Sequence, residues 1–205
     1  MSVKALTASD MEQERYTVGA GEQLVLRYIV LPGESRKIDV AVDLVGEGAS
    51  LEVTGLYMST ADEQVDIRIL VHHRVAGCTS RQTFRGIAGG RARARFYGRV
   101  VVEPGAGQTQ AYQEDHNLLL SDEARIETLP QLEIYADDVQ CSHGATVGRL
   151  NEDEQFYMRS RGIPETEARI LQVLSFAAPV TAGDEALAAQ VEDAVRAALA
   201  ENNPV

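Results

Sequence analysis

The sequence contains no tryptophan and few other aromatic residues, with seven tyrosines and four phenylalanines in 205 residues. It is nevertheless 44% hydrophobic, which is typical of a folded chain and excludes a disordered one. Its core must therefore consist mainly of aliphatic side chains. The length suits one domain with a sizeable core, alone or with a short appendage.

Basic residues and long apolar runs are also scarce. The 19 lysines and arginines are outnumbered by 31 acidic residues, which gives a net charge of −12 and disfavours binding to nucleic acids or to anionic membrane surfaces. No apolar run is long enough to span a bilayer, and the first twenty residues lack a signal-peptide pattern. The sequence therefore predicts a cytoplasmic protein with neither nucleic acid nor membrane as a partner.

Cysteine is also scarce, since the chain contains only Cys78 and Cys141. Two cysteines do not make a disulfide framework. In a reducing compartment both are expected to be free thiols.

Apolar residues alternate with other residues along the first two thirds of the chain. The alternation runs through 24–30, 38–44, 51–57 and 65–71, and strands are also expected at 99–102 and 132–135. Turn-forming residues separate these runs, so the pattern predicts an all-β body, either a sandwich, a barrel or a β-solenoid. The shortage of aromatics favours the solenoid, whose narrow interior stacks aliphatic side chains, although no hexapeptide or nonapeptide repeat is present.

The last quarter of the chain has helical signals. Asn151 is a suitable N-cap followed by three acidic residues, and Gly162 fits a helix end. A second helix is expected from Pro164 to Pro179. In the tail, apolar residues three or four apart form a stripe that we expect to pack on the protein's own body, with a partner protein as the alternative. The predicted organisation is a lead-in at 1–21 (weakly structured or a short edge element), a β core at 22–150 and a helical domain at 151–205.

The densest group of reactive side chains lies around Cys141 and His143. On an extended strand these two residues point to the same face, and a thiolate with an imidazole suits iron or zinc. Iron–sulfur clusters and structural zinc usually take about four ligands. Either other residues or a second chain must then complete the site. The alternative is a buried cysteine next to a hydrogen-bonded histidine.

Other candidate groups are weaker. His116 follows two acidic residues, but a polar turn between strands explains that run equally well. His72 and His73 are adjacent and face opposite sides of a strand, so they cannot chelate one ion together. Asp137 and Asp138 could act as acid or base on a sugar polymer, but the chain offers few aromatic platforms for sugars. No nucleotide-binding loop or serine nucleophile motif is present.

The run 132–148 resembles the signature of the SufB/SufD family of iron–sulfur cluster assembly scaffolds. Its centre reads Asp137-Asp138-Val139-Gln140-Cys141-Ser142-His143-Gly144-Ala145-Thr146. Segments 71–73, 78–81, 90–93, 117–121 and 156–163 also resemble the family in the same order, so the likeness extends from about Gly46 to Phe176. The Cys-Ser-His-Gly-Ala-Thr form is more similar to the SufD type than to the SufB type, which has His-Glu-Ala-Thr.

The resemblance implies a mainly β fold, a right-handed parallel β-helix followed by a small C-terminal helical domain. It implies a non-enzymatic scaffold that pairs through the end of its β-helix, with itself or with a SufB/SufD-type partner. A SufC-type ABC ATPase is expected to dock on the C-terminal helices. The residues expected to face it are Phe156, Tyr157, Arg159, Arg161 and Ile163.

The resemblance also implies metal ligands near the dimer interface. His143 is expected first and Cys141 next, with His116 and Asp138 as further candidates. They would hold a transient iron–sulfur cluster or iron, and no permanently bound cofactor is expected. Family members are commonly longer and have an additional N-terminal helical region. The short chain is therefore expected to be a minimal paralogue. Because the principal sulfur-acceptor cysteine of the SufB-type member is not identifiable in it, the chain is expected to support assembly without receiving sulfur directly.

Two rival hypotheses remain from the sequence. One is a β-helix enzyme acting on carbohydrate through Asp137 or Asp138. The other is a paralogous interaction module that has kept the fold and binds no cluster.

Overall fold

The structure is a computed structural model that describes residues 13–33 and 35–201. This part of the chain forms ten strands followed by three helices. The strands are β1 (Gln13–Val18), β2 (Gln23–Val30), β3 (Arg36–Leu44), β4 (Ser50–Ser59), β5 (Gln64–His73), β6 (Thr79–Ala88), β7 (Arg93–Val102), β8 (Gln110–Leu119), β9 (Arg125–Ile134) and β10 (Gln140–Arg149). The helices are α1 (Glu152–Ser160), α2 (Glu165–Thr181) and α3 (Glu185–Glu201).

Odd-numbered and even-numbered strands form two separate five-stranded sheets, which we call the odd sheet and the even sheet. All neighbouring strands run parallel, and residues paired in register are 26 to 32 positions apart along the chain. Each coil therefore contributes one strand to each sheet, and five coils stack into a parallel β-solenoid. The predicted fold class, a parallel β-helix followed by helices, is confirmed.

Residues 13–18 of the predicted lead-in adopt the edge-element alternative, because they form β1 at the end of the odd sheet. Residues 1–12 lie outside the described residues. The alternation in β1 is hard to recognise because a carboxylate occupies an inward position. Glu14 is buried and accepts hydrogen bonds from the hydroxyls of Tyr16 (2.9 Å) and Tyr28 (2.8 Å).

Aliphatic ladders fill the interior of the solenoid. Val42, Val71 and Val100 lie in register on β3, β5 and β7, and all three are buried. Burying each such side chain contributes about 1.5–3 kcal/mol. Two aromatic rings, Phe84 and Phe96, pack across the interior with their centroids 4.8 Å apart. The expected aliphatic core is confirmed.

Helices α2 and α3 cover the outer face of the even sheet. Their apolar residues share one cluster with Leu56, Met58 and Ile87 of that sheet. The tail stripe therefore packs on the protein's own body, as expected. Its buried members are Leu187, Val191, Val195, Ala198 and Leu199. Within the described ranges, no helix is both long and apolar enough to cross a bilayer.

The caps of α1 agree with the sequence prediction, whereas the end of α2 does not. Asn151 accepts hydrogen bonds from the backbone N–H groups of Asp153 (2.9 Å) and Glu154 (3.1 Å). Gly162 follows α1 with a φ of 87°, a left-handed conformation that favours glycine. The prediction that Pro179 ends the second helix is wrong, because α2 continues to Thr181. A proline so close to a helix end removes only one intrahelical hydrogen bond.

Candidate functional site

The last coil of the solenoid is open at its C-terminal end. In the described part of the chain, β9 pairs only with β7 and β10 only with β8. Because helices rather than another coil follow β10 within residues 150–201, the inward side chains of β9 and β10 are only partly covered. Ile134 is 42% exposed and Val147 is 45% exposed. This open coil end is an apolar surface bordered by two strands with unpaired backbone groups.

Cys141 and His143 lie on this open coil end. Both are on β10, in register with Ala111 and Gln113 of β8, whose side chains are buried inside the solenoid. The structure therefore brings Cys141 and His143 to one face, the inner one. Cys141 is half-buried and His143 is exposed.

Burial raises the pKa of the Cys141 thiol above its usual value. The free thiol is therefore mainly protonated at neutral pH, and a metal that binds its sulfur must displace that proton. Both cysteines are free, and Cys78 is buried two coils away. Of the two, only Cys141 lies at the open coil end.

The structure separates the other two metal candidates from this pair. His116 is paired in register with Thr146, on the outer face of the even sheet, and its Nδ1 lies 2.9 Å from the Thr146 hydroxyl. It cannot share an ion with side chains on the inner face. Asp138 lies in the exposed turn between β9 and β10. Throughout the described ranges, no group of three or more cysteine, histidine or acidic side chains is arranged to hold a metal ion.

A buried polar network, which sequence reasoning missed, lies behind the open coil end. The Asn117 amide donates to the Asp115 carboxylate (2.7 Å), and the Tyr57 hydroxyl donates to both residues. Gln113 donates from Nε2 to the Gln82 side-chain oxygen (3.2 Å). Burial raises the pKa of Asp115 above its ordinary value. The signal that could have revealed the network is the alternation of polar residues along β8, where Gln113, Asp115 and Asn117 all face inward.

A second exposed surface lies on α1. Phe156 is 73% exposed and Tyr157 is 60% exposed, and α1 has no buried residue. A cleft of about 510 Å³ separates α1 from α2; Tyr157, Met158 and Leu171 are among its lining residues. We call Phe156, Tyr157 and the rim of this cleft the α1 surface.

The other predicted docking residues lie at the end of α1. The Arg161 guanidinium lies 5.3 Å from the centre of the Tyr157 ring, Arg159 pairs with Glu165 at 3.3 Å, and Ile163 is half-buried. All five residues thus lie on one helix and the turn that follows it.

Comparison with known proteins identifies the family. The model of the "SUF system FeS cluster assembly, SufBD core domain" matches residues 3–176, which is most of the chain. The chain belongs to the SufBD family. The resemblance read from the sequence is confirmed, and the match begins well before Gly46, where we placed its start.

Three relatives show how similar the chain is to SufBD family proteins and how much of each protein the similarity covers. The iron-sulfur cluster assembly protein SufD of Escherichia coli is 40% identical over 164 residues, which cover 79% of this chain and 39% of that protein. A SufBD family protein of Mycobacterium tuberculosis is 32% identical over 166 residues (76% of this chain, 42% of the relative). One from Synechocystis is 38% identical over 157 residues (71% and 34%). The chain thus spans about two fifths of the length of these relatives or less.

The carbohydrate-enzyme hypothesis gains no support from this SufBD structure. Asp137 and Asp138 lie in an exposed turn. Neither residue lines the α1–α2 cleft or a second cleft of about 390 Å³ near Arg68 and Tyr97 on the odd sheet. The relatives are named as assembly proteins, not as enzymes.

Proposed function

We propose that the chain is a non-enzymatic scaffold in iron–sulfur cluster assembly that contributes Cys141 and His143 to a site shared with a second chain. The observation that carries this proposal is the open coil end, where a thiol and an imidazole lie on one face. The cluster, or iron alone, is held transiently as cargo.

The ligand count supports a shared site. A thiolate and an imidazole suit iron, but iron–sulfur clusters usually take about four protein ligands. A second chain facing the open coil end can supply the remainder. That chain is either a second copy or a SufB-type partner.

The surface around the pair suits such an interface. Ile134 and Val147 expose apolar area on the same face as the candidate ligands, and β9 and β10 present unpaired backbone groups over ten residues each. Long uncovered edge strands favour association with another chain. Dimerisation through the open coil end would cover both features.

We also propose that the α1 surface docks an ABC ATPase of the SufC type. Helix α1 leaves two large aromatic side chains exposed beside an open cleft, and aromatic anchors of this kind often dominate protein interfaces. The two free cysteines agree with a reducing compartment such as the cytoplasm.

Anaerobic reconstitution tests the ligand assignment. The full chain, with its dimer partner where one is required, is incubated with ferrous iron and sulfide, and visible absorbance is recorded. Wild type is expected to form a chromophore that His143→Ala weakens severalfold. His116→Ala is the matched control, because it removes the same side chain from the outer face.

Two outcomes would refute the assignment. An unchanged spectrum in His143→Ala would exclude His143 as a ligand. The absence of any chromophore, with no iron or sulfide in anaerobically purified protein, would favour the interaction module that binds no cluster.

A further inference from the structure

An inward-facing polar ladder leads from the interior of the solenoid to the candidate site. Gln82 on β6, Gln113 on β8 and His143 on β10 occupy the same register position on three consecutive coils. Gln82 and Gln113 are buried, the latter with 1% exposure, while His143 lies at the open coil end. The ladder thus connects two buried amides to an exposed imidazole.

The middle residue of this ladder has an unused acceptor. Gln113 donates from Nε2 to the Gln82 oxygen, but its own Oε1 has no hydrogen-bond partner in the part of the chain that the structure describes. A buried acceptor without a partner is costly and rare in folded proteins. A partner for this oxygen is therefore expected.

The strand register points to that partner. Nε2 is engaged with Gln82 on β6, and the strand on the other side of β8 is β10. The in-register residue there is His143. The amide is also confined, since a Cβ on Gly98 would lie only 2.0 Å from Gln113 Nε2. The His143 ring, by contrast, is exposed.

We propose that Gln113 is a positioning residue for His143. Its Oε1 accepts the N–H of one ring nitrogen, which fixes the tautomer and leaves the lone pair of the other nitrogen facing the open coil end. Histidines that bind metals commonly donate their second N–H to a carbonyl or carboxylate in this way. The consequence for iron rests on the proposed function, whereas the hydrogen bond itself does not.

The hydrogen bond is tested in the full-length protein without metal. Long-range ¹H–¹⁵N correlation spectra of ¹⁵N-histidine-labelled protein are recorded at one alkaline pH, and the His143 signals are assigned by their loss in His143→Ala. Wild type is expected to show one dominant His143 tautomer. Gln113→Leu, which removes the acceptor at similar volume, is expected to give a mixture.

Two further variants control this comparison. Gln113→Glu keeps an acceptor at the same position and is expected to preserve the wild-type tautomer. Gln110→Leu changes the same residue type at an exposed position of the same strand and should also leave the tautomer unchanged. If Gln113→Leu does not fold by circular dichroism, Gln113→Ser replaces it, because serine is too short to reach His143.

Identical tautomer populations in wild type and the folded acceptor-free variant would overturn the proposal. Iron titration adds a separate readout. Loss of the acceptor is expected to weaken iron binding by about 10–100-fold. If wild type binds no iron while the tautomer still depends on Gln113, the positioning inference stands and the proposed function fails.

Discussion

Single residues inside the solenoid are constrained by the coils on either side. Gly86 lies between Tyr57 and Asn117 in the even sheet, and a Cβ there would come within 2.1 Å of the Asn117 side-chain oxygen and 2.3 Å of the Tyr57 ring. The neighbouring coils therefore use the space that this glycine leaves empty. Gly55 makes room for the Phe84 ring in the same way, with 2.2 Å from a Cβ to the ring.

Gly86→Ala is expected to lower the free energy of unfolding by about 1–3 kcal/mol, since overpacking a tight interior forces side chains and backbone to shift. Urea denaturation measures the change. Gly144→Ala is the control, because a Cβ at this half-exposed strand position meets no atom within 4 Å; it is expected to change the free energy by less than about 0.5 kcal/mol. Equal effects of the two variants would contradict the close packing at Gly86.

His73 makes stability depend on pH. Its ring is buried, its Nε2 lies 2.8 Å from the Ser80 hydroxyl, and burial lowers its pKa from 6.5 to about 4. Between these two values the unfolded chain binds a proton that the folded chain does not. The contribution of His73 to the free energy of unfolding therefore falls by up to about 3 kcal/mol as pH drops from 6.5 to 4.

The His73 prediction is checked by urea denaturation at pH 7 and pH 4.5. Relative to wild type, His73→Gln should lose less stability on acidification. Wild type is compared with the variant because Asp115, whose pKa is raised, has the opposite effect on the free energy of unfolding in acid, and this effect is present in both proteins. His116→Gln is the control, and a difference between wild type and His73→Gln that does not change with pH would contradict the prediction.

At the scale of elements, the sequence predicted strands well where inward residues are apolar and poorly where they are polar. The alternation in β2, β3, β4 and β5 was recognised. Strands β6 and β8 were not, because inward positions such as Gln82, Gln113 and Asp115 are buried polar residues. Only the stacked coils show that Gln82 and Gln113 hydrogen-bond to each other and that Asp115 hydrogen-bonds to Tyr57 and Asn117 inside the solenoid.

The sequence predicts only part of the candidate site, because the remainder depends on how the strands pair. A strand period of two is enough to place Cys141 and His143 on one face. The opposite face assigned to His116 depends on which strand neighbours β10, and the contribution of Gln113 depends on a register between residues 30 positions apart. Such long-range pairing has no local sequence signal.

Helix α1 carries a prediction about docking. Phe156→Ala combined with Tyr157→Ala is expected to weaken binding to a SufC-type ATPase by at least tenfold and to leave the melting temperature unchanged, because α1 has no buried residue. Pull-down and calorimetry with the purified ATPase measure this. Val45→Ala, which truncates an exposed apolar side chain elsewhere, is the control.

Point variants are preferable to removal of the helical segment. Helices α2 and α3 bury the apolar outer face of the even sheet, including Leu56 and Ile87. Truncation after β10 would expose that face, so a loss of docking could not be distinguished from aggregation. Undiminished ATPase binding by the double variant would refute docking through the α1 surface.

At the scale of the whole molecule, the open coil end predicts association. Val147→Lys places a charge within the proposed interface and is expected to weaken dimerisation, with itself or with a SufB-type chain, by tenfold or more. Val45→Lys, a similar change at an exposed site before the turn at Gly46, should have no effect. Sedimentation equilibrium distinguishes the two, and equal dissociation constants would contradict the interface.

The stacking of coils also sets the lengths that this fold tolerates. Coils of 26 to 32 residues coexist in one solenoid, so the turns absorb insertions of a few residues. A single residue added inside β10 ahead of Cys141 would instead turn Cys141 and His143 to the outer face. Side chains on a strand alternate between the inner and the outer face. A complete coil can therefore be gained or lost while the candidate ligands stay on the inner face, whereas a single inserted residue moves them to the outer face.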